Sequence, residues 1–497
     1  MRERKQDNYE MREDGKRSKR KREKERQKKK KATNKEFARV TYLFVTLFLV
    51  LMGYIVYFNV VKSEKIINSP YNTRQDTFSD RVVRGSILDR NGEVLAKTEV
   101  AEDGSEMRTY PYGEVFAHVV GYDVNGKSGL ESAENFDLLT SNAFFCRADY
   151  QRISGEKNTG DSVVTTLDAK LQTTAYNALG DEKGAVVVME ADTGKILAMV
   201  SKPSFDPNSV EDNWEYLNAD NEQSPLLNRA MQGAYAPGSI FKIVTALEYI
   251  REQPAYGAYT YDCYGEITYD GTTIPCFNHI AHGFQDLNTS FANSCNSSFA
   301  NIGLSLDRKS YAKTCKQLLF NSKLPSVLDY RKSDFSLEET STSAEVMMTA
   351  MGQGDTQVSP YHMALITSAV ANGGKLMKPY LVSEVTNYTG TPVKKNKPSV
   401  YKELMTAEEA SILTQYMTSV VTQGTGMELS GESYSVAGKT GTAEYGSDGQ
   451  SHSWFVGFTN VEDPELVVSV IVEGNEMQTG GRAIPVAKAI MNAYYYE

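Results

Sequence analysis

Ser239 and Lys242, in the stretch Pro237-Gly238-Ser239-Ile240-Phe241-Lys242, set a hydroxyl nucleophile three residues from a base. A serine hydroxyl is a poor nucleophile at its own pKa, and a lysine can take its proton when burial lowers the ammonium pKa. Pro237 and Gly238 end the preceding segment, and the apolar run 243–247 predicts a buried helix with Ser239 at or near its N-terminus. Side chains three apart share one helix face, so the two groups are within reach of each other. The helix N-terminus adds backbone N–H groups that favour developing negative charge. Taken alone, the pair describes a capping serine and a solvated lysine equally well. Two later stretches change that balance. Ser294-Cys295-Asn296 sets a hydroxyl and an amide two residues apart in a loop or short turn, where both can aim into one cleft. Lys439-Thr440-Gly441-Thr442 reads as a strand on which Lys439 offers positive potential to a carboxylate, Thr440 and Thr442 offer hydroxyls, and Gly441 lets a ligand backbone pair with the strand edge.

Ser-x-x-Lys, Ser-x-Asn and Lys-Thr-Gly, in that order within about 200 residues, resemble the motif set of penicillin-binding proteins and class A β-lactamases. The resemblance implies a role for each residue. Ser239 is then the acylated nucleophile and Lys242 its base; Ser294 relays the proton towards the leaving nitrogen, and Asn296 holds a substrate amide. Lys439 completes the catalytic set by offering its charge to the substrate's terminal carboxylate, and Thr440, Gly441 and Thr442 bind the substrate. The N–H groups of Ser239 and Thr442 form the oxyanion hole, worth about 2.7–4 kcal/mol per donor in acyl-transfer enzymes. The implied reaction is a D,D-transpeptidation: Ser239 attacks the D-Ala-D-Ala bond of a peptidoglycan stem peptide, releases D-Ala and passes the acyl group to an amine on a neighbouring stem. β-Lactams acylate the same serine. The resemblance implies no cofactor and no metal.

Arg84-Gly85-Ser86-Ile87-Leu88-Asp89-Arg90-Asn91-Gly92, Gly129-Leu130-Glu131-Ser132 and Thr165-Thr166-Leu167-Asp168 resemble the N-terminal pedestal of the class B, monofunctional members. The segment is too short for the glycosyltransferase domain of the bifunctional members. A D,D-carboxypeptidase differs only in using water as acceptor, and stays open. A class A β-lactamase has Asp where this chain has Cys295 and needs a deacylating glutamate, for which no position is evident; a class D enzyme usually has an aliphatic residue in place of Asn296. A silent scaffold would normally have lost a motif residue, and a β-lactam sensor normally has several membrane spans. The class B pattern also implies a membrane-embedded glycan polymerase of the shape, elongation, division and sporulation class as partner.

Strands are expected at 185–190 and 195–200, joined by Asp192-Thr193-Gly194, and at 436–443, 453–458 and 466–472. Helices are expected at 168–179, from Ser239 onwards, around 346–351, and at 361–371, 407–421 and 484–494. Strands at both ends of the region with helices between them predict an α+β fold, one antiparallel sheet covered by helices on both faces. This is the penicillin-recognising fold that the resemblance implies, preceded by a β-rich pedestal and one transmembrane helix.

The expected layout is a basic disordered tail at 1–39, a membrane helix at 40–61, the pedestal at 62–160 and the transpeptidase domain at 161–497. Residues 1–39 hold 18 Lys and Arg against 8 Asp and Glu, a net of +10, so the rest of the chain carries −20 of the overall −10. Residues 40–61 are uncharged, and at 1.5 Å per residue they span the roughly 30 Å hydrocarbon core. The basic excess before that span puts the N-terminus in the cytoplasm and residues 62–497 outside a bacterial cell membrane. The same excess explains the basic tail without nucleic acid. The five cysteines show no Cys-x-x-Cys spacing. Cys263 and Cys276 flank an apparent hairpin and are read either as a local disulfide or as reduced, buried thiols; Cys146, Cys295 and Cys315 are read as packing residues. His279 and His282 are read as structural.

Overall fold

The computed structural model describes residues 3–58, 81–142, 157–445, 450–474 and 481–496. The chain divides into two compact units, Met1–Ser69 and Pro70–Glu497.

In the first unit a single helix, α1, runs Glu3–Tyr57. Its apolar part, Phe37–Tyr57, is 21 residues long with mean hydropathy 2.1 and none of it buried, as a lipid-facing span requires. The expected span reached residue 61; its last residues, 59–61, lie outside the described ones. The basic segment expected to be disordered is instead helical from Glu3 onwards. Lys, Arg, Glu and Gln are strong helix formers, and acidic residues such as Glu23 and Glu25 lie within a turn of basic ones, so low hydrophobicity alone was a poor guide there.

The second unit contains a six-stranded sheet and a five-stranded sheet. The six-stranded sheet runs in the order Pro392–Lys395, Val382–Thr386, Ser162–Thr165, Ile87–Leu88, Val94–Val100, Glu106–Thr109. The Asn-Gly turn between its 87–88 and 94–100 strands is closed by Asp89, whose Oδ1 accepts from the N–H groups of Asn91 at 2.7 Å and Glu93 at 2.8 Å. Beneath this sheet Glu131 is fully buried between Arg84 at 2.5 Å and Arg108 at 2.7 Å. The Gly-Leu-Glu stretch thus supplies the counter-ion for two buried guanidiniums, which would be costly to leave unpaired.

The larger sheet is built from β1 (Gly184–Glu190), β2 (Ile196–Lys202), β3 (Val436–Tyr445), β4 (Gln450–Thr459) and β5 (Leu466–Val472). Its order is β3-β4-β5-β1-β2, every neighbouring pair antiparallel, so the two ends of the region meet in one sheet. The helices of this unit include, in chain order, α2 (Ala169–Ala178), α3 (Lys242–Glu252), α4 (Asn296–Ser305), α5 (Pro360–Ala371), α6 (Ala407–Gln423) and α7 (Ala483–Tyr495). Alternate side chains of each strand enter different cores. Val186, Val188, Val468 and Val470 pack with Leu171 of α2 and Ile490 of α7, whereas Val187, Met189, Val467 and Ile471 pack with Ile243 of α3 and Leu365 of α5. Burial on both faces is why these strands are apolar without alternation. Strand β3 is at one edge of the sheet, and the turn that carries Ser239 packs against it.

Candidate active site

Ser239 sits in a short 3-10 turn, Gly238–Phe241, that feeds directly into α3, whose first residue is Lys242. The turn is pressed into place by backbone. Gly238 has φ +54°, and a Cβ built on it would lie 2.3 Å from the carbonyl oxygen of Thr442 on β3. Its N–H donates to the carbonyl of Gly352 at 2.8 Å, and a Cβ on Gly352 would lie 1.8 Å from the Gly238 carbonyl. Only glycine permits approaches this close. Trp454 on β4 donates from Nε1 to the carbonyl of Ala236 at 3.1 Å, tying the segment that leads into the turn to the sheet as well. Ser239 is therefore held against the strand that bears Lys439, Thr440, Gly441 and Thr442.

Lys242 is completely buried. Its Nζ is 2.7 Å from the Ser294 carbonyl oxygen, 2.8 Å from Asn296 Oδ1, 3.0 Å from Ser239 Oγ and 3.2 Å from Ser294 Oγ. The carbonyl and the amide oxygen only accept, so they take two N–H bonds from the amine. In the neutral form the lone pair is then left for the hydroxyls, of which Ser239 Oγ is the nearer. Burial lowers the Lys242 pKa to about 8, which makes that neutral form accessible near physiological pH.

Ser294 lies at φ +55° in the turn between the short helix Leu287–Ala292 and α4, and Cys295 caps α4. Asn296, the first residue of α4, donates from Nδ2 to the Pro275 carbonyl at 3.1 Å while Oδ1 accepts from Lys242, so its amide is oriented from both ends. Ser294 Oγ is also 2.9 Å from Nζ of Lys439, which is fully buried and donates to the Thr440 carbonyl at 2.9 Å. Burial, followed by the nearby Lys242 charge, pushes the Lys439 pKa well below that of an ordinary lysine. A carboxylate arriving beside Lys439 reverses that direction, because an opposite charge favours the ammonium.

The five polar side chains singled out as catalytic thus form one connected network: Lys242 touches Ser239, Ser294 and Asn296, and Ser294 joins it to Lys439. Thr440, Gly441 and Thr442 follow on β3, where a Cβ on Gly441 would meet Ile240 at 3.0 Å. Three neighbours escaped the sequence reading. Thr425 Oγ1 is 2.5 Å from Thr440 Oγ1, Gly352 seats the nucleophile turn, and Pro275 orients Asn296. Glycines on both sides of Thr425, just after a helical segment, were the available signal for the first.

Of the two readings of Cys263 and Cys276, the structure has the reduced, buried thiols. Cys263, Cys276, Cys295 and Cys315 are free and buried, and Cys146 lies outside the described residues. The sulfurs of Cys263 and Cys276 are 3.6 Å apart and unbridged. Cys295 packs against them as expected; its Sγ is 3.7 Å from Cys276 Sγ and also accepts from the Ser298 N–H. His282 lies beside them: Cys263, Cys276, His282 and Cys295 offer ligand atoms that all lie within 4.8 Å of one another. The four lie 13, 6 and 13 residues apart, so no local spacing announced them.

Residues 184–492 match the penicillin binding protein transpeptidase domain, and residues 84–163 match the penicillin binding protein A dimerisation domain. The chain is 31% identical over 493 residues to the peptidoglycan D,D-transpeptidase PbpA of Mycolicibacterium smegmatis, covering 93% of this chain and 99% of that one. It is 32% identical over 426 residues to the stage V sporulation protein D of Bacillus subtilis, covering 79% of this chain and 64% of the relative. Among solved structures, the D,D-transpeptidase domain of a peptidoglycan glycosyltransferase from Eggerthella lenta superposes with TM-score 0.75 at 31% identity, over 83% of this chain and 98% of that one. The ceftriaxone acyl-enzyme of penicillin-binding protein A from M. tuberculosis superposes with TM-score 0.76 at 28% identity, over 85% of this chain and all of that one. With the transpeptidase domain matched over more than half its length, the chain belongs to the penicillin-binding protein transpeptidase family.

Proposed function

We propose that this chain is a serine D,D-transpeptidase of the class B, monofunctional kind, which cross-links peptidoglycan stem peptides and is acylated by β-lactams. The observation that carries the reading is the buried Lys242 amine, held by two acceptors with Ser239 Oγ at 3.0 Å. A stem peptide lies along the β3 edge with its terminal carboxylate beside Lys439, Thr440 and Thr442, and this contact restores the Lys439 proton. Neutral Lys242 takes the Ser239 proton as Oγ bonds to the carbonyl carbon of the penultimate D-Ala. The oxyanion is met by the N–H groups of Ser239 and Thr442. Ser294, in contact with both lysines, passes a proton to the departing D-Ala nitrogen, and the acyl-enzyme remains. The amine of a second stem then attacks, gives up a proton along the same path and frees Ser239. In a β-lactam the leaving nitrogen stays tethered to the acyl group, so the adduct persists.

The test is D-Ala release from a stem pentapeptide by the full-length chain in detergent, with and without a labelled amine acceptor. The expected result is label joined to the shortened stem in step with D-Ala release. Release with no label captured at any acceptor concentration would make the protein a carboxypeptidase.

The layout that goes with this reading is a cytoplasmic tail at 1–39, an anchor at 40–61, a pedestal at 62–160 and the catalytic domain at 161–497 outside the membrane. The anchor and pedestal dock on a membrane-embedded glycan polymerase, which supplies the strands to be cross-linked. What supports this partner is an apolar helix, Phe37–Tyr57, long enough to cross a membrane, beside a match to a penicillin binding protein dimerisation domain at 84–163. Affinity purification of the tagged full-length chain from its native membranes is expected to recover a polymerase of the shape, elongation, division and sporulation class; recovery of other membrane partners without one would sink the docking proposal.

A further inference from the structure

We propose that Cys263, Cys276, Cys295 and His282 bind one zinc ion, in a structural site that clamps the 260–286 insert onto the Ser294-Cys295-Asn296 motif. A tetrahedral zinc with Zn–S near 2.3 Å and Zn–N near 2.0–2.1 Å sets sulfurs about 3.8 Å apart, and a sulfur and a nitrogen about 3.6 Å apart. Here Cys263 and Cys276 sulfurs are 3.6 Å apart, Cys276 and Cys295 sulfurs 3.7 Å, and Cys263 Sγ lies 3.4 Å from His282 Nδ1. These match three of the six edges of a coordination tetrahedron, and all four ligand atoms lie within 4.8 Å of one another. A disulfide would account for only two of the sulfurs, at about 2.05 Å, and would leave the third sulfur and the imidazole unexplained.

The surroundings fit a metal as well. The three cysteines are buried together, with exposures of 0% and 2% and 0% in chain order, yet a ring nitrogen is aimed among them. Ser297 Oγ lies 3.2, 3.3 and 3.4 Å from Cys263, Cys276 and Cys295 sulfurs, where its hydroxyl can donate to a thiolate and orient it. Cys295 stands at the N-terminus of α4, whose N–H groups favour the thiolate charge that metal binding creates. Three thiolates and an imidazole match zinc, and four protein ligands leave no open position, so the site is structural.

The ligands come from four element ends. Cys263 closes the Thr260–Cys263 strand, Cys276 follows the Thr272–Pro275 strand, His282 precedes the Gly283–Asp286 strand, and Cys295 caps α4. Cys276 is next to Pro275, whose carbonyl orients Asn296, and Cys295 is flanked by the two motif residues. Zinc would thus set the Ser294 and Asn296 positions without touching substrate. It acts as a positioning element.

The experiment is elemental analysis of the full-length chain purified in detergent under reducing conditions, followed by chelation and reconstitution with cobalt(II). The expected result is about one zinc per chain, retained on dialysis, kept in Cys315→Ser and lost in Cys276→Ser; the chelated wild type should give the thiolate charge-transfer and tetrahedral d–d bands of cobalt. Chelation should also lower the unfolding temperature and slow penicillin acylation, on the order of 10²-fold for a displacement near 1 Å, with zinc restoring both. A chain that carries no zinc and gives no cobalt–thiolate bands while its three thiols are reduced would overturn the proposal. So would a Cys263–Cys276 or Cys276–Cys295 disulfide in the native protein, or unchanged zinc in Cys276→Ser. Metal content and the cobalt spectrum do not depend on transpeptidation, so this result and the acceptor assay can fail separately.

Discussion

Incubated with a penicillin, the full-length chain in detergent is expected to gain the mass of one drug molecule, and Ser239→Ala is expected to gain none. The substitution removes the atom that forms the new bond while leaving Lys242 its carbonyl and amide acceptors at 2.7 and 2.8 Å. Loss of one hydrogen bond at a half-buried site costs about 0.5–1.5 kcal/mol, too little to unfold the domain, so the unfolding temperature should stay close to that of the wild type. Intact-mass spectrometry reads the outcome directly. An adduct that survives in Ser239→Ala would move the nucleophile elsewhere, with Ser294 the obvious candidate because its hydroxyl contacts both lysines. Drug hydrolysed by a wild type that shows no adduct would signal rapid deacylation and a β-lactamase. Drug left intact beside an unmodified wild type would mean a silent scaffold.

Lys242→Met should slow acylation by about 10²–10⁴-fold, the usual contribution of a positioned general base. Methionine has nearly the length of the lysine stem, so circular dichroism should report a folded protein, although the Ser294 carbonyl and Asn296 Oδ1 each lose a donor, at about 1–3 kcal/mol apiece. The pH dependence separates base catalysis from mere packing. Because the neutral amine is the active form, wild-type acylation should rise with pH and level off above about 8, whereas the residual rate of Lys242→Met should lack that rise. The same depression bears on stability. Between about 8 and the ordinary value of 10.5 the unfolded chain binds a proton at Lys242 that the folded chain does not, so this residue's contribution to stability improves as pH rises through that window. A wild-type rate that is flat through pH 8 would remove Lys242 from the role of base.

Much of the architecture was written locally. Strands β1, β2 and β5 of the larger sheet are short, mostly apolar runs, and the expected segments 466–472 and 185–190 coincide with β5 and β1 to within a residue. The reactive network was legible for a similar reason. Its parts are short motifs whose internal spacing, Ser239 to Lys242 or Ser294 to Asn296, is set by one turn of backbone. The basic segment before the membrane span was misread because composition reports the lack of a core, while helix propensity is a separate and local quantity. The six-stranded sheet was out of reach of local pattern: it takes strands from 87–109, 162–165 and 382–395, and no periodicity in one of them names the others.

By itself, then, the sequence picked out the polar residues that the structure brings into one network, placed them on a helix start, a turn and a strand, and showed an apolar helix long enough to cross a membrane ahead of them. These properties depend on contacts within a few residues along the chain. The tertiary structure alone decided what depends on distant segments meeting: Gly352 closing on Gly238, Thr425 on Thr440, and Cys263, Cys276, His282 and Cys295 converging beneath the second motif. A one-dimensional pattern records the period of a strand or a helix. It does not record which strand ends are brought to the same point, because that is fixed by the packing of two cores across a single sheet.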